Sequence, residues 1–510
     1  MEPGALLLLR ADASIAAGTG HVMRCLALAQ AWQDAGGRVA LATTALLPSL
    51  ETRLSAESVA VHVMPVFRGL PADADATAAL AQDLGARWVV LDGYQFDADY
   101  ERSIAVAGPH LLRIDDGGRT GSYRADIVLD QNLGADPAQY LRRGADTECL
   151  LGSDFVLLRR EFRAAARAPR ELHEDARRVL VTLGGTDPDN VTAIVLAGLR
   201  QLAAPDLEVT VVVGGGNPHL PQVGAALAEL PGPTALRVDA TDLPALMAHA
   251  DVAVAAGGGT CWELCAMGVP MLLVALADNQ RANVRGLAAA GVALDLGDAS
   301  TLTPGRVAEP LRNLLRSNME RGAMAQRGRA LVDGEGARRV VSAMTARDML
   351  RFRRATAEDA QRLFDWANDP VTRAMSFRSG TIPWADHLRW LAAVLAAHDR
   401  LLLVVEGYAE GAWQPIGQLR FDAGGVVSVG FDPAWRGRGL AAPALRRALS
   451  LPQVKEFGPL YTAYIRPENA ASQRAFRQAG FRYDGMARAY DVDCGRFVRD
   501  DSGLDGEGAP

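Results

Sequence analysis

The stretch Ala5-Leu6-Leu7-Leu8-Leu9, followed a few residues on by Gly18-Thr19-Gly20-His21-Val22-Met23-Arg24-Cys25-Leu26-Ala27-Leu28-Ala29, reads as a buried strand, a glycine turn and the start of a helix. The apolar run has strand length, the glycines turn the chain, and Met23, Leu26 and Ala27 begin a helical period. His21 is therefore expected where loop becomes helix. Free backbone N–H groups and the positive end of a helix dipole attract an anion there, so a nucleotide diphosphate or a diphospho-sugar is the natural guest. A histidine beside such a guest can exchange a proton near neutral pH. The same pattern also suits a helix-start histidine with no chemistry. Arg24, one turn on, reads equally as a phosphate contact or an exposed helix residue.

Working outward, strand-like and helix-like segments alternate through two thirds of the chain, the pattern of parallel sheets with crossover helices. Ala5 to Leu9, Arg38 to Ala42, Trp88 to Leu91, Leu111 to Ile114 and Ile127 to Leu129 make a first series. A charged, alanine-rich stretch from Arg163 to Arg178 interrupts it. A second series follows at Val179 to Leu183, Val209 to Val213, Leu236 to Val238, Val252 to Ala255 and Met271 to Val274. Near Arg351 the character changes to short strands with turns between them, at Leu401 to Val405, Pro415 to Phe421 and Val426 to Phe431, an antiparallel signature. The expected domains are 1–168, 175–348 and 351–495, with an acidic, glycine-rich disordered tail over 500–510.

The 510 residues, 49% hydrophobic and 22% charged, suffice for roughly three packed domains. A net charge of −7 leaves no electrostatic footprint for nucleic acid or an anionic membrane. Met1-Glu2-Pro3-Gly4 lacks the basic flank of a signal peptide, and Ala5 to Leu9 is too short to cross a bilayer, so a cytoplasmic location is expected. The 5 cysteines are odd in number; Cys261 and Cys265 share a helix face without partners for zinc and read as small buried hydrophobes. Lys455 is the only lysine, which removes a Walker A loop and Schiff-base chemistry. No metal is expected, and no motif speaks for an oligomeric state.

In the second series Gly184-Gly185-Thr186 follows the first strand and Gly257-Gly258-Gly259-Thr260 the fourth, both at carboxyl ends of parallel strands, where open α/β sheets bind ligands. Glu263, one turn into the next helix, suits a pair of ribose hydroxyls, and Asp278-Asn279-Gln280 can reach a sugar. This order resembles the nucleotide-sugar half of GT-B glycosyltransferases. More narrowly, residues 1 to about 345 resemble the UDP-2,4-diacetamido-2,4,6-trideoxy-β-L-altropyranose hydrolases of pseudaminic acid biosynthesis. The matching stretches include Arg10-Ala11-Asp12-Ala13-Ser14, Gly18 to Leu26, Ile114-Asp115-Asp116, Asp130-Gln131-Asn132 and Val181 to Pro188. The resemblance implies metal-independent hydrolysis between the anomeric carbon and UDP, with His21 catalytic. It implies a substrate pocket of Asp12, Gly18, Gly20, Arg24, Tyr94, Gly185, Thr186, Gly258, Gly259, Thr260, Glu263, Asn279 and Gln280. Where family members often carry Asp-His-Tyr this chain has Asp92-Gly93-Tyr94, so no side chain acts at position 93.

Downstream, Arg436-Gly437-Arg438-Gly439-Leu440-Ala441 turns from a strand into an apolar-periodic helix, a second anion cradle. It resembles the pyrophosphate loop of GNAT acetyltransferases, and Asn469, Ser472, Phe476 and Ala479-Gly480-Phe481 resemble the second half of that family's pattern. The resemblance implies acetyl-CoA as co-substrate, bound by Arg436, Gly437, Arg438, Gly439, Ala441 and Asn469. Family members often place a proton-donating tyrosine where this chain has Phe476; Tyr464, Tyr483 or solvent, with Glu468 as base, stand open as substitutes. The expected architecture is α/β, two Rossmann-like domains in GT-B arrangement followed by an α/β GNAT domain. The expected substrates are a UDP-sugar and acetyl-CoA, with a glycosyltransferase carrying a non-catalytic acyl-CoA-binding domain as the alternative.

Overall fold

The computed structural model describes residues 4–14, 18–144, 147–409, 412–489 and 491–501. The chain divides into two compact units, one of residues 2–140 and 149–341, the other of 141–148 and 342–510.

The first unit carries two sheets. In the first lobe β1 (Leu6–Ala11), β2 (Arg38–Thr43), β3 (Ala60–Val63), β4 (Ala86–Asp92), β5 (His110–Ile114), β6 (Ile127–Asp130) and β7 (Glu148–Leu151) lie in the order β3-β2-β1-β4-β5-β6-β7. The pairings from β3 to β6 are parallel. In the second lobe β8 (Arg178–Thr182), β9 (Glu208–Val213), β10 (Thr234–Val238), β11 (Val252–Ala256), β12 (Met271–Ala275) and β13 (Ala293–Asp298) are ordered β10-β9-β8-β11-β12-β13. All of these pairings are parallel too. Central strands covered on both faces read as unbroken apolar runs, and Leu7, Leu8, Val89, Val90, Val254 and Leu272 are solvent-free. Each order reverses beside its first strand, between β1 and β4 and between β8 and β11. Those switch points open crevices at the carboxyl ends of the strands.

The second unit holds one mixed sheet of β14 (Leu350–Arg354), β15 (Leu401–Ala409), β16 (Ala412–Asp422), β17 (Val426–Phe431), β18 (Leu460–Ile465), β19 (Arg482–Ala489) and β20 (Val492–Asp500), ordered β14-β15-β16-β17-β18-β20-β19. Its pairs are antiparallel except β17 with β18, which run parallel and meet at Val426 and Thr462. Beyond that pair they separate into a wedge. One face packs on helices Ala441–Leu449 and Ala470–Gln478 through Leu403, Phe421, Leu445 and Phe476. The other face packs on helices Ala360–Asn368 and Trp384–Ala396 through Leu363, Trp366, Leu391 and Val404.

The architecture is the expected one, with strands added at the margins. Strands β3, β7, β13 and β19 were not legible, because edge positions need little apolar content: β19 has no fully buried residue. The interior strand β20 was not legible either, its Arg496, Arg499 and Asp500 masking the apolar positions Cys494 and Phe497. β20 runs to Asp500, inside the stretch expected to be tail; residues 502–510 lie outside the described residues.

Candidate functional site

Helix Gly20–Asp34 starts directly after the turn, with His21 as its second residue. Its first turn has no side-chain cap and no acid, so the first N–H groups are left for an outside acceptor. His21 Nδ1 lies 2.6 Å from Oδ1 of Asp92, the last residue of β4 across the switch point. With a carboxylate there, Nδ1 carries the proton and Nε2 is left as the acceptor.

Arg24 is neither an exposed helix residue nor free for phosphate. Its Nε and Nη2 each donate at 2.7 Å to Asp92, and its Nη1 donates at 2.9 Å to Asp116. Burial alone would raise the Asp92 carboxyl, but Arg24 and then His21 outweigh it and hold Asp92 well below the usual carboxylate range. Burial likewise opposes ionisation of Asp116, and Arg24 again wins. The result is a desolvated ladder, His21 to Asp92 to Arg24 to Asp116, whose charges fix one another.

Tyr94 extends the ladder across the crevice. Its hydroxyl donates to Asp116 at 2.9 Å and accepts from Asn279 of the second lobe at 2.8 Å, and its ring meets His21 edge-on at 5.1 Å. Burial and then the Asp116 carboxylate push the Tyr94 hydroxyl up to about 12. A parallel route runs from Asn283 to Asn132 at 2.7 Å, and from Asn132 to Asp116 at 3.0 Å. The structure thus brings His21, Arg24, Tyr94 and Asn279 together.

Other expected residues have different surroundings. Asp12 is buried, its Oδ1 taken by Arg10, Thr43 and both the N–H and hydroxyl of Thr44, its Oδ2 by Gln95. Both of its oxygens have partners within the fold, and the carboxylate ties β1 to β2. Glu263 stands one turn into helix Thr260–Met267 as expected, but Arg159 Nη2 already holds its Oε1 at 2.7 Å. Burial pushes the Glu263 carboxyl up, and Arg159 opposes that shift. Gln280 Oε1 accepts from the Leu276 N–H, so this end of its side chain shapes the loop after β12. Gly258, Gly259 and Thr260 open an uncapped helix start, and a Cβ on Gly257 would meet Val284 Cγ2 at 2.4 Å. Gly18 and Gly20 follow β1, and Gly185 and Thr186 follow β8; a Cβ on Gly185 would lie 3.9 Å from the Thr19 hydroxyl of the other lobe.

In the second unit Gly437 and Gly439 take φ of +73° and +74°, which lets successive N–H groups turn inward ahead of the uncapped helix that begins at Ala441. The expected arginine contacts change. Arg436 donates to Phe431 O, Asp369 and Thr372, so its guanidinium braces the loop. Arg438 is exposed and stacks on Trp435 at 4.5 Å. Asn469 caps helix Ala470–Gln478, its Oδ1 accepting from the Ser472 N–H at 3.0 Å. Phe476 is buried edge-on to Phe481, within the core.

Sequence reasoning met Asp92, Asp116, Asn132 and Asn283 in its motifs and gave none of them a role in the site. The available signal was positional: acids close β4 and follow β5, and carboxylates at the ends of parallel strands face the crevice.

Residues 178–337 match the glycosyltransferase family 28 C-terminal domain, and residues 349–482 match the acetyltransferase (GNAT) domain. The spore coat polysaccharide biosynthesis protein SpsG of Bacillus subtilis is 32% identical over 235 residues, 46% of this chain and 68% of that protein. The UDP-2,4-diacetamido-2,4,6-trideoxy-beta-L-altropyranose hydrolase of Campylobacter jejuni is 23% identical over 289 residues, 56% of this chain and 97% of that one. Among solved structures, MurG of Acinetobacter baumannii aligns with 67% of this chain and 99% of its own at 19% identity and a TM-score of 0.47. A nucleotide-sugar enzyme of GT-B architecture is here joined to a GNAT acetyltransferase domain, and the chain belongs to the family of the spore coat polysaccharide biosynthesis protein SpsG.

Proposed function

We propose that the first unit hydrolyses UDP-2,4-diacetamido-2,4,6-trideoxy-β-L-altropyranose to free sugar and UDP, and that the second N-acetylates the preceding UDP-4-amino sugar with acetyl-CoA, both in pseudaminic acid biosynthesis. The observation that carries the first half is the His21 and Asp92 pair at an uncapped helix start. In this reading water attacks the anomeric carbon, His21 Nε2 takes its proton, and the bond from that carbon to the UDP oxygen breaks. Asp92 stabilises the imidazolium that forms, as a carboxylate behind a general-base histidine does. The departing charge falls to the helix starts at Gly20 and Thr260. With Asp12 and Arg24 engaged in the fold, binding of the sugar and nucleotide rests on Tyr94, Asn279 and the glycine loops.

In the second unit the loop from Gly437 to Ala441 suits a pyrophosphate through backbone N–H groups, and acetyl-CoA supplies the acyl group. The acceptor amine attacks the thioester carbonyl, the C–N bond forms and the C–S bond breaks; the thiolate takes a proton that Phe476 has no means to give. The two activities are ordered, since the acetylated product is what the first unit hydrolyses.

Incubating the full chain with acetyl-CoA and the UDP-4-amino sugar, followed by mass analysis, tests this: a diacetamido free sugar and UDP are expected. A glycosyltransferase reading has its own support in a 35% identical relative from Sorangium cellulosum named as an N-acetylglucosamine transferase. UDP release only in the presence of an acceptor would decide for it.

A further inference from the structure

We propose that the acetyltransferase unit grips its acceptor by a diphosphate at the mouth of the wedge between β17 and β18, through Arg373, Arg378 and Arg466. This rests on the reading above that the acceptor is a nucleotide sugar.

Helix Pro370–Met375 spans that mouth. At its start Asp369 and Thr372 are held by Arg436, which follows β17. At its end the carbonyl of Ser376 accepts from Nη1 of Arg466, which follows β18, at 3.0 Å. The short helix therefore bridges the two diverging strands at the place where they are furthest from their pair at Val426 and Thr462. An acceptor reaching a thioester in the wedge passes this helix.

Arg373 and Arg466 both bond the segment after it, which carries Arg378. Arg373 Nη1 donates to the carbonyls of Arg378 at 3.0 Å and Gly380 at 3.4 Å, and its Nη2 to the Ser376 hydroxyl at 2.9 Å. Among the described residues no carboxylate pairs with Arg373 or Arg378, and Arg373 Nε is buried without a partner. Burial pushes the Arg373 guanidinium down with no anion to restore it. Arg466 meets one acid, Glu468, at 3.5 Å, and that side chain is 64% exposed. By contrast, Arg353 is neutralised by Asp359 and Glu406, and Arg436 by Asp369.

A desolvated guanidinium without its counter-ion is costly and invites an anion. Guanidinium forks match phosphate oxygens bidentately, and a diphosphate offers enough of them to engage more than one arginine. The acetyl-CoA pyrophosphate offers the same chemistry, so the two sources must be separated by which substrate responds.

The test is initial-rate acetyl transfer by the full chain, read as CoA thiol release, with the UDP-4-amino sugar as acceptor. Arg378→Gln is the primary variant, because Arg378 is exposed and braces nothing through its side chain. The KM for the sugar nucleotide is expected to rise about tenfold or more, the size of one charged hydrogen bond, with the KM for acetyl-CoA within about twofold. Free UDP should inhibit competitively with the sugar nucleotide and lose potency in the variant by a similar factor. Arg378→Lys should recover part of the loss, and Arg373→Gln should act in the same direction. An unchanged KM for the sugar nucleotide in both glutamine variants overturns the inference and leaves the proposed function standing. A rise confined to the KM for acetyl-CoA assigns the arginines to the donor and overturns it too. Failure of the wild type to acetylate the sugar nucleotide, while acetylating the same amino sugar without UDP, overturns both.

Discussion

Asp92 accepts from His21 on one oxygen and from Arg24 on both, inside the first lobe and away from solvent. Replacing it by Asn offers an amide N–H to Nδ1, turns the tautomer over and leaves Nε2 protonated, while Arg24 loses one of its two carboxylates and keeps only Asp116. Asp92→Asn should therefore cut UDP release by about two to four orders of magnitude and destabilise the unit by about 1 to 3 kcal/mol, the range for weakened hydrogen bonds to a charged group. Single-turnover assays and denaturant titration check the two effects. His21→Ala should lose a similar factor in rate with little change in stability, since His21 is partly exposed at a helix start; near-wild-type hydrolysis would remove it from the mechanism. Glu101 gives a pH-dependent counterpart. Burial pushes its carboxyl up to about 7, against which the Arg124 N–H and then Arg113 act only in part. The folded value lies above the ordinary 4.5, so between the two the folded state binds more protons. Glu101's contribution is thus fully present below about pH 4.5 and is lost as pH rises to about 7, by about 2 to 3 kcal/mol. Glu101→Gln should flatten this slope; equal slopes in urea titrations of variant and wild type would refute it.

Among the elements, two helix starts that look alike in sequence do different work. Helix Gly20–Asp34 begins without a side-chain cap, so its free N–H groups face the crevice. Helix Ala470–Gln478 is capped by Asn469, which spends its carbonyl on Ser472 N–H. Asn469→Ala should accordingly cost about 1 kcal/mol in stability, the usual value of a lost cap, and leave the KM for acetyl-CoA unchanged. A several-fold rise in that KM would return Asn469 to the cofactor. The glycine loop, the helix start and the strand ends were readable from the chain because turns and helix periods are local. The partners of Arg24 were not, since Asp92 lies 68 residues away and Asp116 92 residues away. Nor were edge strands such as β3 and β19, whose exposed positions carry no apolar alternation.

At the scale of the molecule, the two units have separate sheets, separate cores and separate glycine loops. Gly439→Glu puts a charged side chain at a φ of +74°, costing about 1 to 2 kcal/mol of backbone strain and crowding the cradle with a like charge. Acetyl transfer should be lost while hydrolysis of pre-acetylated UDP-sugar continues, and assaying the half-reactions separately checks it. Loss of both in folded protein would mean that the activities are coupled. By itself the sequence determined the α/β class, the change of fold near Arg351, the position of His21 at a helix start and both glycine cradles, because each is written in the spacing of neighbouring residues. Only the tertiary structure decided what the polar side chains do. It engaged Asp12, Arg436 and Asn469 in hydrogen bonds within the fold and gave His21 its carboxylate. It also joined Tyr94 to Asn279 across the crevice. A hydrogen bond needs partners within about 3 Å, and parallel strands bring distant residues to one sheet edge through long crossovers, a proximity that no local pattern records.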